Sequence, residues 1–306
     1  MNFQPIRYLE WAKRNHEVAP PELNLAASAV EPPPVEMLGG LDGLAIRGNN
    51  AYGHPRLREA IAKRYDVSPA TVLCSVPGAS MAYFLLAAAL VRAGDAVLVE
   101  WPCYEPLWRN FEALGARIEW LERRPEARYA IDLGRVETAF VRGARVLALS
   151  NLMNPTGVLA PAATVRAAGA IAARHGGTVL VDEIYLDGVF DGRPEARTAA
   201  GAEGIAVLSS LTKIYGLGGL RAGWAIAPQP LVARGFEVLS HLAIEQAYIA
   251  DEVAARAFDR LPELRARAER IQRENLPLVR DFAAGRRDVE LVEPDGGFVA
   301  WLRLTG

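Results

Sequence analysis

Apolar runs and helical spacings alternate along the first two thirds of the chain. Short β-rich runs at residues 71–75, 96–99, 117–121, 146–150, 178–181 and 205–209 are predicted strands. Between them, residues 79–91, 105–114 and 162–175 repeat apolar side chains at helical spacing. This alternation is the pattern of βαβ units, which build a mostly parallel sheet with helices on both faces. The strands are apolar throughout, as strands covered on both faces must be. After Pro228 the texture changes. Residues 231–242 and 247–258 read as helices, and 262–284 as a long helix with a polar face. A strand pair at 289–292 and 298–304 follows, joined by a turn from Glu293 to Gly297. The pattern predicts an α/β fold with a large domain at 45–240 and a smaller α+β domain at 241–306. The segment 1–44 is expected to pack beside the small domain, with an extended proline connector at 32–34.

Composition narrows the field. The 306 residues carry a formal net charge of −2, which argues against nucleic acid as a partner. The richest apolar run, 82–91, is too short to span a membrane, and the first ten residues lack the apolar core of a signal peptide. Cys74 and Cys103 suggest neither a disulfide framework nor a zinc site, and His16, His54, His175 and His241 are scattered, so no metal is expected. A cytoplasmic location fits this reading. The basic stretch 264–287 is broken by Glu263, Glu269, Glu274 and Asp281 and reads as a solvated helix face. Arginine supplies nearly all the positive charge. The only lysines are Lys13, Lys63 and Lys213, and Lys213 alone follows an apolar strand.

Four predicted strand ends carry chemistry. In open α/β sheets, ligands bind at the carboxyl ends of the strands. Lys213 lies just past one such end. Asp182 ends another, where a carboxylate is costly unless a cation or donors face it. Asn154 follows a third, in a segment that taken alone reads as a turn. After the fourth, Pro77 and Gly78 open a helix whose free N–H groups suit a phosphate. The cluster Gly216, Gly218 and Gly219 lacks the dinucleotide-binding spacing and reads as a turn that returns Arg221 toward that phosphate. Trp101 and Trp108 are expected to pack around Tyr104.

Together these segments resemble the class I/II aminotransferases, the fold type I enzymes of pyridoxal 5′-phosphate (PLP). The resemblance runs from about Asn49 to Leu304. It rests on Gly53, Pro55, Leu57 and Arg58; Pro102 and Tyr104; Asn154 to Gly157; Asp182 to Tyr185; and Ser210 to Lys213 with Arg221. It implies a Schiff base on Lys213, Asp182 beside the pyridine nitrogen, and Asn154 and Tyr185 on the ring's phenolic oxygen. Tyr104 would stack on the ring. Ala79, Ser80, Ser210, Thr212 and Arg221 would hold the phosphate, and Tyr52 would reach a neighbour's phosphate across a homodimer interface. The implied activity moves an amino group between an amino acid and a 2-oxo acid, with Lys213, Asp182 and Tyr185 as the catalytic group. A PLP-dependent lyase or cyclase is the alternative, and a non-catalytic PLP-sensing domain a weaker one. The family's carboxylate-binding arginine comes late in the small domain. Residues 296–304 resemble that domain's first inner strand, so the small domain is expected to be incomplete at Gly306.

Overall fold

The computed structural model describes residues 2–17, 22, 24–243 and 245–305. Met1 and Gly306, the two ends of the predicted segments, lie outside the described residues.

Seven strands form the central sheet: β1 (Val72–Pro77), β2 (Ala96–Trp101), β3 (Arg117–Glu122), β4 (Ala144–Ser150), β5 (Thr178–Asp182), β6 (Ile205–Ser210) and β7 (Ala222–Ile226). Their order is β1-β7-β6-β5-β4-β2-β3. The pairs β2/β3, β2/β4, β4/β5 and β5/β6 are parallel, while β7 runs antiparallel between β6 and β1. β1, β2, β4, β5 and β6 therefore all point their carboxyl ends to one edge. The six strands read for this sheet are present, within two residues at each end. The seventh is β7, the strand-like run that follows the glycine-rich turn.

Helices α1 (Arg7–Glu17), α2 (Pro55–Tyr65), α3 (Gly78–Leu90), α4 (Pro106–Ala113), α5 (Leu133–Val141) and α6 (Ala162–Arg174) precede or connect the strands; α7 (Gln229–Leu239), α8 (Tyr248–Phe258) and α9 (Leu261–Ala284) follow. Local chemistry starts several of them. The His54 ring accepts from Leu57 N to cap α2, and Asp132 caps α5 through Arg135 N. Pro55 and Pro106 occupy first-turn positions, where a missing N–H costs nothing. Two buried apolar clusters lie on the faces of the sheet. Trp224, Leu147 and Val181 belong to one, Leu86, Phe111 and Leu180 to the other. Successive residues of β5 thus enter opposite clusters, which is why the strand is apolar throughout.

The strand pair β8 (Val289–Val292) and β9 (Trp301–Leu304) forms a separate antiparallel hairpin beside α9. Its turn is fastened to the sheet edge. Asp295 accepts from Leu159 N at 2.9 Å and from Arg193 at 2.9 Å, and Gly297 N donates to Gly188 O at 3.1 Å. The basic helix α9 departs from its reading as a purely solvated face. Arg265 donates to the carbonyls of Asp187 and Val189, and Arg267 to that of Glu31. Peptide carbonyls at a chain reversal need donors, and a long guanidinium reaches them from the helix.

One contact constrains the sheet edge tightly. A Cβ at Gly223 would lie 2.2 Å from Gly78 C and 2.3 Å from Ala79 N. These are backbone atoms at the start of α3, so no side chain can yield. Gly223→Ala is expected to destabilise the fold by about 1–3 kcal/mol, the usual range for overpacking, read as a lower midpoint in chemical denaturation. An unchanged midpoint would show that β7 and α3 are not packed this closely.

Candidate active site

The register of the sheet sets the site. Ser150 of β4 pairs with Asp182 of β5, and Asp182 with Leu208 of β6. The last residues of β4 and β5 thus lie side by side with Leu208, two residues before the end of β6, and the loops that follow the three strands carry Asn154, Tyr185 and Lys213. Asp182 sits where its strand leaves the sheet, and its carboxylate accepts from Ile184 N at 3.1 Å. Burial raises its pKa from 3.8 to about 6, opposed by that N–H and by the Lys213 charge. Lys213 is shifted downward by burial, with Asp182 opposing and Arg221 assisting. Its amine lies 2.7 Å from Ser28 Oγ. The Tyr185 hydroxyl donates to Ser28 O at 2.8 Å.

Arg221 comes from the turn Gly218–Leu220 and has a left-handed backbone, φ 51°. Its guanidinium reaches Pro77 O at 3.4 Å, and a Cβ on Gly78 would fall 2.5 Å from Nη2. The glycine leaves that space to the arginine. The α3 N-terminus beside it has no side-chain cap. Ala79 there is buried and Ser80 exposed. Ser210 Oγ accepts from Thr212 N at 3.1 Å, which shapes the loop that delivers Lys213.

Tyr104 is half-buried, with its hydroxyl pKa pushed up to about 12, first by burial and then by Tyr8 and Asp182. The Tyr8 ring meets it edge-on at 5.8 Å. Helix α1, which carries Tyr8, is held by Glu105, whose two carboxylate oxygens accept from Arg7 N and Tyr8 N. Trp101 and Trp108 both pack on Trp120. Tyr52 stands apart from this group, 70 % exposed, with its ring against Phe236.

Behind the loops lies a relay that sequence reading missed. Glu100, the penultimate residue of β2, is fully buried and pairs with buried Arg123 at 2.5 Å. It also accepts from Ser150 N at 2.6 Å and from the Ser150 hydroxyl. Ser150 Oγ in turn accepts from Asn154 N at 2.8 Å. Buried Asn151 fixes the same loop by exchanging two 3.0 Å bonds with Ala160. The one sequence signal was a glutamate closing an apolar strand. Ser28 gave none, since it lies in an unpatterned segment 185 residues from Lys213.

These groups fit PLP. An uncapped helix start beside a guanidinium suits a phosphate. A buried carboxyl group supplied with one backbone donor has room for a cationic ring nitrogen. The amine that would carry the cofactor feels the charges of both Asp182 and Arg221. Among the described residues, no cluster of three or more His, Cys, Asp and Glu side chains could hold a metal, and no helix is long and apolar enough to cross a membrane.

The raised acids make stability fall with pH. Between its unfolded value near 3.8 and about 6, Asp182 keeps a proton in the folded chain that the unfolded chain has released. Its stabilising contribution is therefore complete below the lower value and lost as pH rises through the upper one. Buried Glu183, raised from 4.5 to about 7, acts in the same sense. In cofactor-free protein near pH 8, Asp182→Asn should add about 1–2 kcal/mol and flatten the fall in stability between about pH 4 and 6. Denaturant melts across pH check this, and a variant less stable than the parent near pH 8 contradicts it.

Comparison with known proteins agrees with this geometry. Residues 42–306 match the family described as aminotransferase class I and II. Capreomycidine synthase of Streptomyces vinaceus is 30 % identical over 87 % of this chain and 68 % of its own length. Arginine–pyruvate transaminase AruH of Pseudomonas aeruginosa is 30 % identical over 85 % of this chain and 70 % of its own. Among solved structures, the PLP-dependent cyclase OrfR superposes with a TM-score of 0.87 at 25 % identity, covering 97 % of this chain and 80 % of that one. The chain belongs to the class I and II aminotransferase family and is a PLP-dependent aminotransferase of fold type I.

Proposed function

We propose that this chain moves the amino group of an amino acid to a 2-oxo acid, with Lys213 carrying PLP and shuttling the substrate proton. The observation that supports this most directly is a half-buried amine and a half-buried carboxyl group that act on each other's charge at one sheet edge. When bound, PLP supplies the electron sink that allows a proton to leave the substrate's α-carbon. Burial lowers the proton affinity of Lys213, so its amine can be neutral, take that proton and then release it as an acid. Asp182 would face the pyridine nitrogen, and a cation there would draw the carboxyl group back to its ionised form. Asn154 and Tyr185 would donate to the phenolic oxygen, for which the Tyr185 hydroxyl would leave the Ser28 carbonyl. Tyr104 would cover one ring face. Ala79, Ser80, Ser210, Thr212 and Arg221 hold the phosphate.

The division into a large unit at 45–240 and a small one at 241–306, with 1–44 beside the latter, belongs to the same proposal. So do a homodimer in which Tyr52 reaches the neighbour's phosphate, and a cytoplasmic location. The exposure of Tyr52 supports the Tyr52 assignment, since its hydroxyl is free to meet another subunit. A cyclase reading stands second, favoured by the 0.87 TM-score to OrfR.

Given an amino acid and no acceptor, the enzyme should release one equivalent of 2-oxo acid per site and stop. Continued turnover with ammonia release would identify a lyase, and a cyclic product a cyclase. Borohydride should fix the cofactor on Lys213, and Lys213→Ala should lose about a hundredfold to ten-thousandfold in rate. Label on Lys13 or Lys63 would refute the assignment.

A symmetric dimer is the commonest closed assembly. Sedimentation at assay concentration should show one, and Tyr52→Phe should weaken PLP binding. A fully active monomer would reject both the dimer and the Tyr52 role.

A further inference from the structure

We propose that Ser28 is the positioning residue for the free Lys213 amine, an inference that rests on the assignment of Lys213 as the PLP-carrying group. Three contacts converge on it. Ser28 Oγ lies 2.7 Å from Lys213 Nζ. Ser28 O accepts from the Tyr185 hydroxyl at 2.8 Å. Two residues on, Val30 N donates to Lys213 O at 3.2 Å, so the two segments are joined through backbone as well. The approach is close enough that a Cβ on Gly216 would fall 2.5 Å from Glu31 O. Among the described residues, Ser28 is the hydrogen-bond partner of the lysine amine.

The chemistry explains why a hydroxyl belongs there. Burial removes water from the amine, and two charged groups act on it in opposite senses, Asp182 at the end of β5 and Arg221 at the start of β7. Neither is hydrogen-bonded to it. A serine hydroxyl accepts from the ammonium and donates to the neutral amine, so it keeps a bond in both protonation states. The ammonium gains more, because hydrogen bonds to charged groups are the stronger kind. Ser28 therefore raises the proton affinity that burial depresses. It also holds the amine in one place whenever the amine is not bonded to the cofactor, before PLP is captured and after substrate displaces it. In the cofactor-free chain Tyr185 holds the Ser28 backbone through its carbonyl, so the segment that presents the hydroxyl is itself held by another residue of the site.

The test uses cofactor-free protein and the native amines. Trace acetylation at a series of pH values, with peptide mapping, gives a titration midpoint for each lysine. Lys13 and Lys63 are exposed and serve as internal references. In Ser28→Ala the Lys213 midpoint should fall by about one pH unit while the references stay fixed. Ser28→Thr should restore it. The same Ser28→Ala protein should capture PLP more slowly at a pH where both proteins hold a neutral amine, because the amine is no longer held in position. A Lys213 midpoint that is unchanged or moves upward in a folded Ser28→Ala protein overturns the proposal. A midpoint that depends on Ser28 in a protein that never binds PLP upholds the Ser28 contact and refutes the cofactor assignment instead.

Discussion

A carboxyl group and an amine, both stripped of most of their water, stand at the carboxyl edge of one parallel sheet. Each is shifted toward its neutral form by burial, and each opposes the other's shift. The pair is stable enough to exist yet open to a ligand that restores charge. A phosphate-bearing, cation-forming ring would do that, and Arg221 lies beside the uncapped start of α3 where an anionic end would be met. The central sheet holds these groups where a loop alone would let them drift.

That holding is done by buried polar contacts and by the absence of side chains. Glu100 would be costly at 0 % exposure if it were unpaired. Arg123 and two Ser150 donors satisfy it, and Ser150 passes the constraint to Asn154. At the start of α3 the constraint is steric. Gly223 lets β7 touch the start of α3, and Gly78 makes room for the Arg221 guanidinium. Polar networks and glycine contacts thus fix the two ends of one site by different physics.

The third constraint comes from outside the sheet. Residues 28–31 cross the lysine loop, α1 brings Tyr8 to Tyr104, and the β8–β9 turn closes on Gly157 and Gly188. Residues 28–31 and the β8–β9 turn dock on backbone carbonyls of the loops that follow the strands, and α1 on the Glu105 side chain. Carbonyls at a strand end must find donors. Here the donors are arginines of α9 and amides of the N-terminal and C-terminal segments, so satisfying the edge also encloses the site.

Strand positions, helix spacing and the residues at four strand ends were legible in the sequence because they are local. An apolar run declares a covered strand, and a lysine, aspartate or asparagine after it declares the edge where ligands bind. The strand β7 was harder to read, since its five residues gain their partners from β1 and β6 and not from a period of their own. Helices α1 and α5 were likewise unread, one held by distant Glu105 and the other started by a single cap at Asp132. Ser28 and Glu100 lie furthest from what a sequence declares. The first is defined by a contact 185 residues away and the second by partners 23 and 50 residues away. The chain alone determined which polar residues follow the apolar strands and gather at the carboxyl edge of the sheet. The tertiary structure decided which other residues orient them, because a hydrogen bond between distant segments leaves no periodicity in either.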